Sequence, residues 1–132
     1  MDPVITNIDN NQVLQGDNEF RNDTLTAAGA LTIADGTLLG RITASGKLGV
    51  YDSGAATGLE IPVAVYSGDD RIIAGAGDVP IRAMVSGKVS KTRLIEQGKA
   101  AGVDITEVVV DQLRNYSIIP VDVTELNILD NQ

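Results

Sequence analysis

Apolar and polar residues alternate in short runs between residues 28 and 89, and glycine or an acidic residue closes nearly every run. A period of two, broken by Asp-Gly, Ser-Gly and Gly-Asp-Asp, predicts short strands joined by tight turns. Residues 30–33 read as a strand closed by Asp35-Gly36. Residues 38–43 and 47–51 read as a hairpin around Ala44-Ser45-Gly46. Residues 53–60 are a loop of small residues. Residues 61–67 form a strand with Val63 and Val65 on one face and Ala64 and Tyr66 on the other, where Pro62 suits a first or edge position. Gly68-Asp69-Asp70 turns the chain. In residues 79–85, Val79, Ile81, Ala83 and Val85 face one side and Pro80, Arg82 and Met84 the other, and Gly87-Lys88 is expected to end that strand.

The pattern then changes period. Residues 90–101 predict a helix, with Ser90 or Thr92 as N-cap and Gly102 as its stop. Leu94, Ile95 and Ala101 supply its apolar face, and Gly98 weakens it by about 1 kcal/mol relative to Ala. Thr106 can cap a shorter helix over 107–114, although Val108-Val109-Val110 suits a strand equally well. Residues 116–123 read as a last strand interrupted by Pro120. Leu126, Ile128 and Leu129 follow in a tail.

The first 25 residues show neither period. They hold Asn7, Asn10, Asn11, Asn18 and Asn22, five acids and the lone Arg21. The reading is an arm, poorly ordered in isolation, that spans on the order of 80 Å when extended at ~3.3 Å per residue. It is either a dispensable terminus or a segment that orders on a partner, for instance by adding a strand to a sheet edge. Its isolated hydrophobes, Val4, Ile5, Ile8, Val13, Leu14 and Phe20, favour the second reading. The expected organisation is an arm over 1–25, a β-rich domain over 26–123 and a tail over 124–132.

Composition narrows the function more than it widens it. A chain of 132 residues fits one domain, and a hydrophobic fraction of 43% supplies a core. Aromatics are only 3%, so that core is built from Val, Ile, Leu and Ala, with no platform for stacking bases or sugars. The net charge of −8, with dispersed basic residues, argues against nucleic acid or an anionic membrane as a direct partner. The chain has no histidine and no cysteine, which removes thiol nucleophiles, Cys/His zinc sites, imidazole bases and disulfides. No apolar stretch approaches the ~20 residues of a membrane span. The start Met-Asp-Pro-Val lacks the regions of a secretory signal, so an intracellular site of synthesis is expected.

The candidate reactive clusters reduce to turn chemistry. Asp69-Asp70 with Asp78 offers hard oxygen ligands, but the spacing matches no calcium loop and acids beside glycine are ordinary turn residues. Asp52 and Glu60 form a conceivable carboxylate pair for glycoside hydrolysis, with no aromatic platform beside it. Gly36-x-x-x-Gly40 and Gly46-x-x-Gly49 are not phosphate loops, because Gly46-Lys47 leads into Leu48 and a β pattern. Lys88, in Met84-Val-Ser-Gly-Lys88, reads as a solvated hairpin charge and not as a carrier lysine. No catalytic, cofactor-binding or metal-binding residue is expected.

The order of these pieces carries a resemblance. The run Ala30-Leu-Thr-Ile-Ala-Asp-Gly-Thr-Leu-Leu-Gly-Arg-Ile-Thr-Ala-Ser-Gly-Lys-Leu-Gly-Val-Tyr-Asp-Ser-Gly54 is similar to the central signature of the lambda-type bacteriophage head decoration proteins. Pro62-Val-Ala-Val-Tyr66, Val79-Pro-Ile-Arg-Ala-Met-Val-Ser-Gly87 and Ala101-Gly-Val-Asp-Ile105 follow in the family's order, so the likeness spans about residues 27–123. It implies a mostly β, β-clip-like body, a small barrel or ribbon with one or two short helices. It also implies a homotrimer on the three-fold sites of an expanded phage head, which cements the shell against packaged DNA. The partner is then the major capsid protein, contacted by residues ahead of the β body, and the location is the outside of the virion after synthesis in the host cytoplasm. Residues 2–20 are expected to be removable without loss of folding. A tail or fibre component and a small carbohydrate-binding module are the alternative readings.

Overall fold

The computed structural model describes residues 13–15 and 18–121. Its elements in chain order are β1 (Glu19–Ala27), β2 (Leu31–Ile33), β3 (Leu38–Arg41), β4 (Leu48–Val50), β5 (Pro62–Tyr66), β6 (Arg71–Ile73), β7 (Gly77–Ser90), a 3-10 turn (Lys91–Arg93), α1 (Glu107–Arg114) and β8 (Ile118–Val121). This is the mostly β body expected from the pattern, with one short α-helix.

β7 is the spine. Its first ten residues pair antiparallel with β1, from Ala27 opposite Gly77 to Glu19 opposite Ser86. On its other edge Met84 and Ala83 pair with Val65 and Tyr66 of β5. β5 continues to β3, β3 to β4, and β4 returns to β1 through the parallel pair Leu25–Leu48. The ring β1-β4-β3-β5-β7 therefore closes on itself as a small barrel, which leaves no free edge among its five strands. β2 and β6 form a separate two-stranded ribbon.

Alternation along the barrel strands sends side chains into two layers. One cluster draws Leu25, Leu39, Leu48, Ala64, Ile81 and Ala83 from all five barrel strands and so fills the barrel. The other lies between the barrel wall and α1, with Leu38, Val65 and Met84 from the opposite strand faces meeting Val109 and Leu113 of α1 and Ile118 of β8. The faces expected for residues 79–85 hold in both clusters. Val63 departs from its expected face. Leu39 pairs with Ala64 and Gly40 with Pro62, so Val63 is the extra residue of a bulge and packs with the barrel-filling cluster.

Three expectations are corrected. The strand through Val85 does not end at Gly87-Lys88 but runs to Ser90, because its backbone finds partners on both edges there, residues 13–15 on one and β8 on the other. The helix expected over 90–101 is only the 3-10 turn. The Ile95 backbone bonds instead to β3 and its approach, with its N–H donating to Gly36 O at 2.9 Å and its carbonyl accepting from Leu38 N–H at 2.9 Å. Those bonds, with Gly98 at φ +77°, displace the helical pattern. Residues 19–25, expected in the arm, are strand β1. β6 was not expected from the sequence. Residues 107–114 are helical, and Pro120 sits inside β8, an end strand that tolerates its missing N–H.

Gly36 is required by a close approach. Its φ of +98° lies in the left-handed region, and a Cβ there would stand 2.0 Å from the carbonyl oxygen of Arg93.

Candidate attachment site

The end of β7 at Ser90 gathers the segments that lead out of the body. On one edge, residues 13–15 run antiparallel to β7. The Ser90 N–H donates to Val13 O at 2.8 Å and the Gln15 N–H donates to Lys88 O at 3.0 Å, with Leu14 bridged to Val89. On the other edge, Val121 of the parallel strand β8 pairs with the same Ser90. Val13 and Val121, the first and last described residues, thus both lie beside Ser90 at one end of β7.

Asp35 ties this end to the barrel. Its Oδ2 accepts the Val13 N–H at 2.9 Å, and its Oδ1 accepts the Gly68 N–H at 3.0 Å. The Asn18 side-chain amide adds a bond to Lys88 O at 3.0 Å. Asp35 reads in the sequence as a turn acid. Its pairing with a backbone 22 residues away follows from the fold alone.

A second polar centre braces the loop after the 3-10 turn. Glu96 is 3% exposed. Its Oε2 accepts from the Ser53 N–H at 2.9 Å and the Ser53 hydroxyl at 2.6 Å, and its Oε1 accepts from Lys99 Nζ at 3.3 Å. Lys99 also pairs with Asp104 at 2.8 Å. Burial pushes the Glu96 carboxyl up, but the Ser53 bonds and the Lys99 charge outweigh it and hold the carboxyl below its ordinary value.

The residues singled out for the arm divide. Val4, Ile5 and Ile8 lie outside the described residues. Val13 is fully buried in the cluster beneath α1, and Leu14 and Phe20 pack against the same cluster. Val13 is therefore a core residue of this fold, and Leu14 and Phe20 are half-buried against it. The reason is that β1 and residues 13–15 complete the edge of β7 that the sequence leaves without an assigned neighbour.

The clusters weighed for chemistry are turns and braces. Asp78 is held by Lys47 and by the Thr26 hydroxyl. Asp52 accepts from Gly54 N–H at 3.0 Å and Glu60 from Gly58 N–H at 2.8 Å, both within the loop between β4 and β5. Gly46 turns the β3–β4 hairpin at φ +77°. Lys88 lies exposed within β7 and not at a hairpin tip. Among the described residues, no three acidic side chains converge as a metal site.

The family Bacteriophage lambda head decoration protein D matches residues 6–114. The chain belongs to this head decoration protein family. No curated protein matches it. Membership identifies a structural component that decorates the phage head and is located on the capsid. The family match covers all of the barrel strands and α1 and stops short of β8, so the second strand flanking Ser90 lies beyond it.

Proposed function

We propose that this chain is a capsid cement that binds as a homotrimer at the three-fold sites of an expanded phage head. It holds the major capsid protein lattice against the outward pressure of packaged DNA. The observation that carries this reading is the family match over residues 6–114.

Attachment is assigned to the segment before Val13, with Val4, Ile5 and Ile8 as its apolar contacts. The Asp35 bond and the pairing of residues 13–15 with β7 give that segment a fixed point of departure. A rigid base at Val13 lowers the ordering entropy spent when the residues before it bind a partner. Three such segments on one trimer add weak contacts into strong avidity.

Copy number per particle tests this reading. Quantitative mass spectrometry of purified virions is expected to find hundreds of copies, in a fixed ratio to the major capsid protein. A handful of copies per particle would instead assign the chain to a tail or collar.

A further inference from the structure

An open cleft of about 410 Å³ lies between the loop after β4, the loop after the 3-10 turn and the first turns of α1. Tyr51 lines it. The residue is 2% exposed and belongs to the core cluster beneath α1. Its hydroxyl nevertheless makes no hydrogen bond to a described residue, and it is not sealed off from the cleft. A buried tyrosine ordinarily finds a partner for its O–H. Burial and the nearby Glu96 carboxylate push this hydroxyl up, so it stays a protonated donor at neutral pH. The acceptor it lacks has to come from a ligand.

The rest of the cleft defines that ligand's charge. Three carboxylates line it, Glu60, Glu96 and Asp104, against the single ammonium of Lys99. Glu96 is engaged by Ser53 and Lys99. Glu60 accepts from Gly58 N–H through Oε1, and Asp104 from Lys99 through Oδ2, so each keeps one oxygen without a described donor. The carboxylates do not converge on a point that would hold a metal ion. Spread in this way, the charge suits an extended cation. Val108, 66% exposed on α1, adds an apolar wall, and Gln112 adds an amide one turn later.

We propose that this cleft receives an arginine side chain presented by the phage shell, a contact additional to the segment before Val13. The guanidinium faces the free carboxylate oxygens as a planar fork of donors. Its methylene stem lies along Val108. A peptide carbonyl beside that arginine accepts from the Tyr51 hydroxyl. An anionic ligand is opposed by the surplus of carboxylates, and a purely apolar one would leave the tyrosine donor unpaired. This contact rests on the cement reading above, which supplies the partner.

Full-length wild type, Tyr51→Phe and Glu60→Gln are compared by co-sedimentation with empty expanded capsids. Phe fills the same core space, and Gln still accepts from Gly58 N–H, so urea midpoints are expected to match wild type. Capsid binding is expected to fall about three- to tenfold in each variant. Amide resonances of the wild type, without capsids, are followed as N-acetyl-arginine N-methylamide is added. Those of Val108 and Gln112 are expected to move, and N-acetyl-glutamate N-methylamide to leave them in place. Unchanged capsid binding in both variants overturns the cleft contact and leaves the cement reading standing. A wild type that does not pellet overturns the cement reading and this contact with it. No shift with the arginine probe, or an equal shift with the glutamate probe, overturns the assigned chemistry. A fall in the Tyr51→Phe midpoint that accounts for its lost binding makes the hydroxyl structural and also overturns the assignment.

Discussion

The N–H of Val13 donates to Oδ2 of Asp35 at 2.9 Å, joining residues 22 apart in sequence. The other oxygen of the same carboxylate holds Gly68, so one side chain fixes the base of the N-terminal segment against the turn after β5. Asp35→Ala is expected to cost about 1–3 kcal/mol, since it strands two backbone donors. Hydrogen exchange at Gln15 and Ser90 is expected to rise more than exchange in β3. Urea unfolding and residue-resolved exchange check this, and equal exchange in variant and wild type at Gln15 and Ser90 would count against the tether.

Glu96 makes stability depend on acid. Its folded-state carboxyl lies below the ordinary value of 4.5, so it stabilises the fold above that pH, and the contribution is lost as pH falls through the lower folded value. Glu96→Gln is expected to lower stability at pH 7 by about 1–3 kcal/mol and to flatten the decline below pH 4.5. Thermal unfolding from pH 7 to pH 3 reads both effects. An unchanged acid slope in the variant would assign the loss to other carboxylates.

Gly36→Ala combines an unfavourable backbone angle with a collision against Arg93 O. The expected cost is about 2–5 kcal/mol, against little change for Gly29→Ala, where a Cβ meets nothing within 4 Å. Denaturant midpoints of the two variants should differ clearly, and similar midpoints would show that the 3-10 turn can yield.

The strands with clean alternation and glycine stops were legible in the sequence: β2, the β3–β4 hairpin, β5 and the middle of β7. What escaped depends on partners distant in the chain. β1 has a mostly polar sequence, and only pairing along β7 makes it a strand. The segment around Ile95 has helical spacing, yet its backbone satisfies itself against Gly36 and Leu38. Val13, Leu14 and Phe20 read as contacts for a partner because nothing local hides them, and the fold buries or half-buries them beside Met84. Tyr51 and Gln112 lie far apart in sequence, and only the packing of α1 beside the loop after β4 places them in one cleft.

That burial also changes which truncation is informative. Removing residues 2–20 would take out Val13, Leu14 and the start of β1 and would damage the core, contrary to the expectation from sequence. Removing residues 2–12 spares every described contact. The most direct measurement is co-sedimentation of this shorter chain with empty expanded capsids, beside the full chain and with folding verified. The full chain is expected to pellet with the capsids, and the shortened chain to fold normally and stay in the supernatant. Full-affinity binding by the shortened chain would contradict attachment through the segment before Val13.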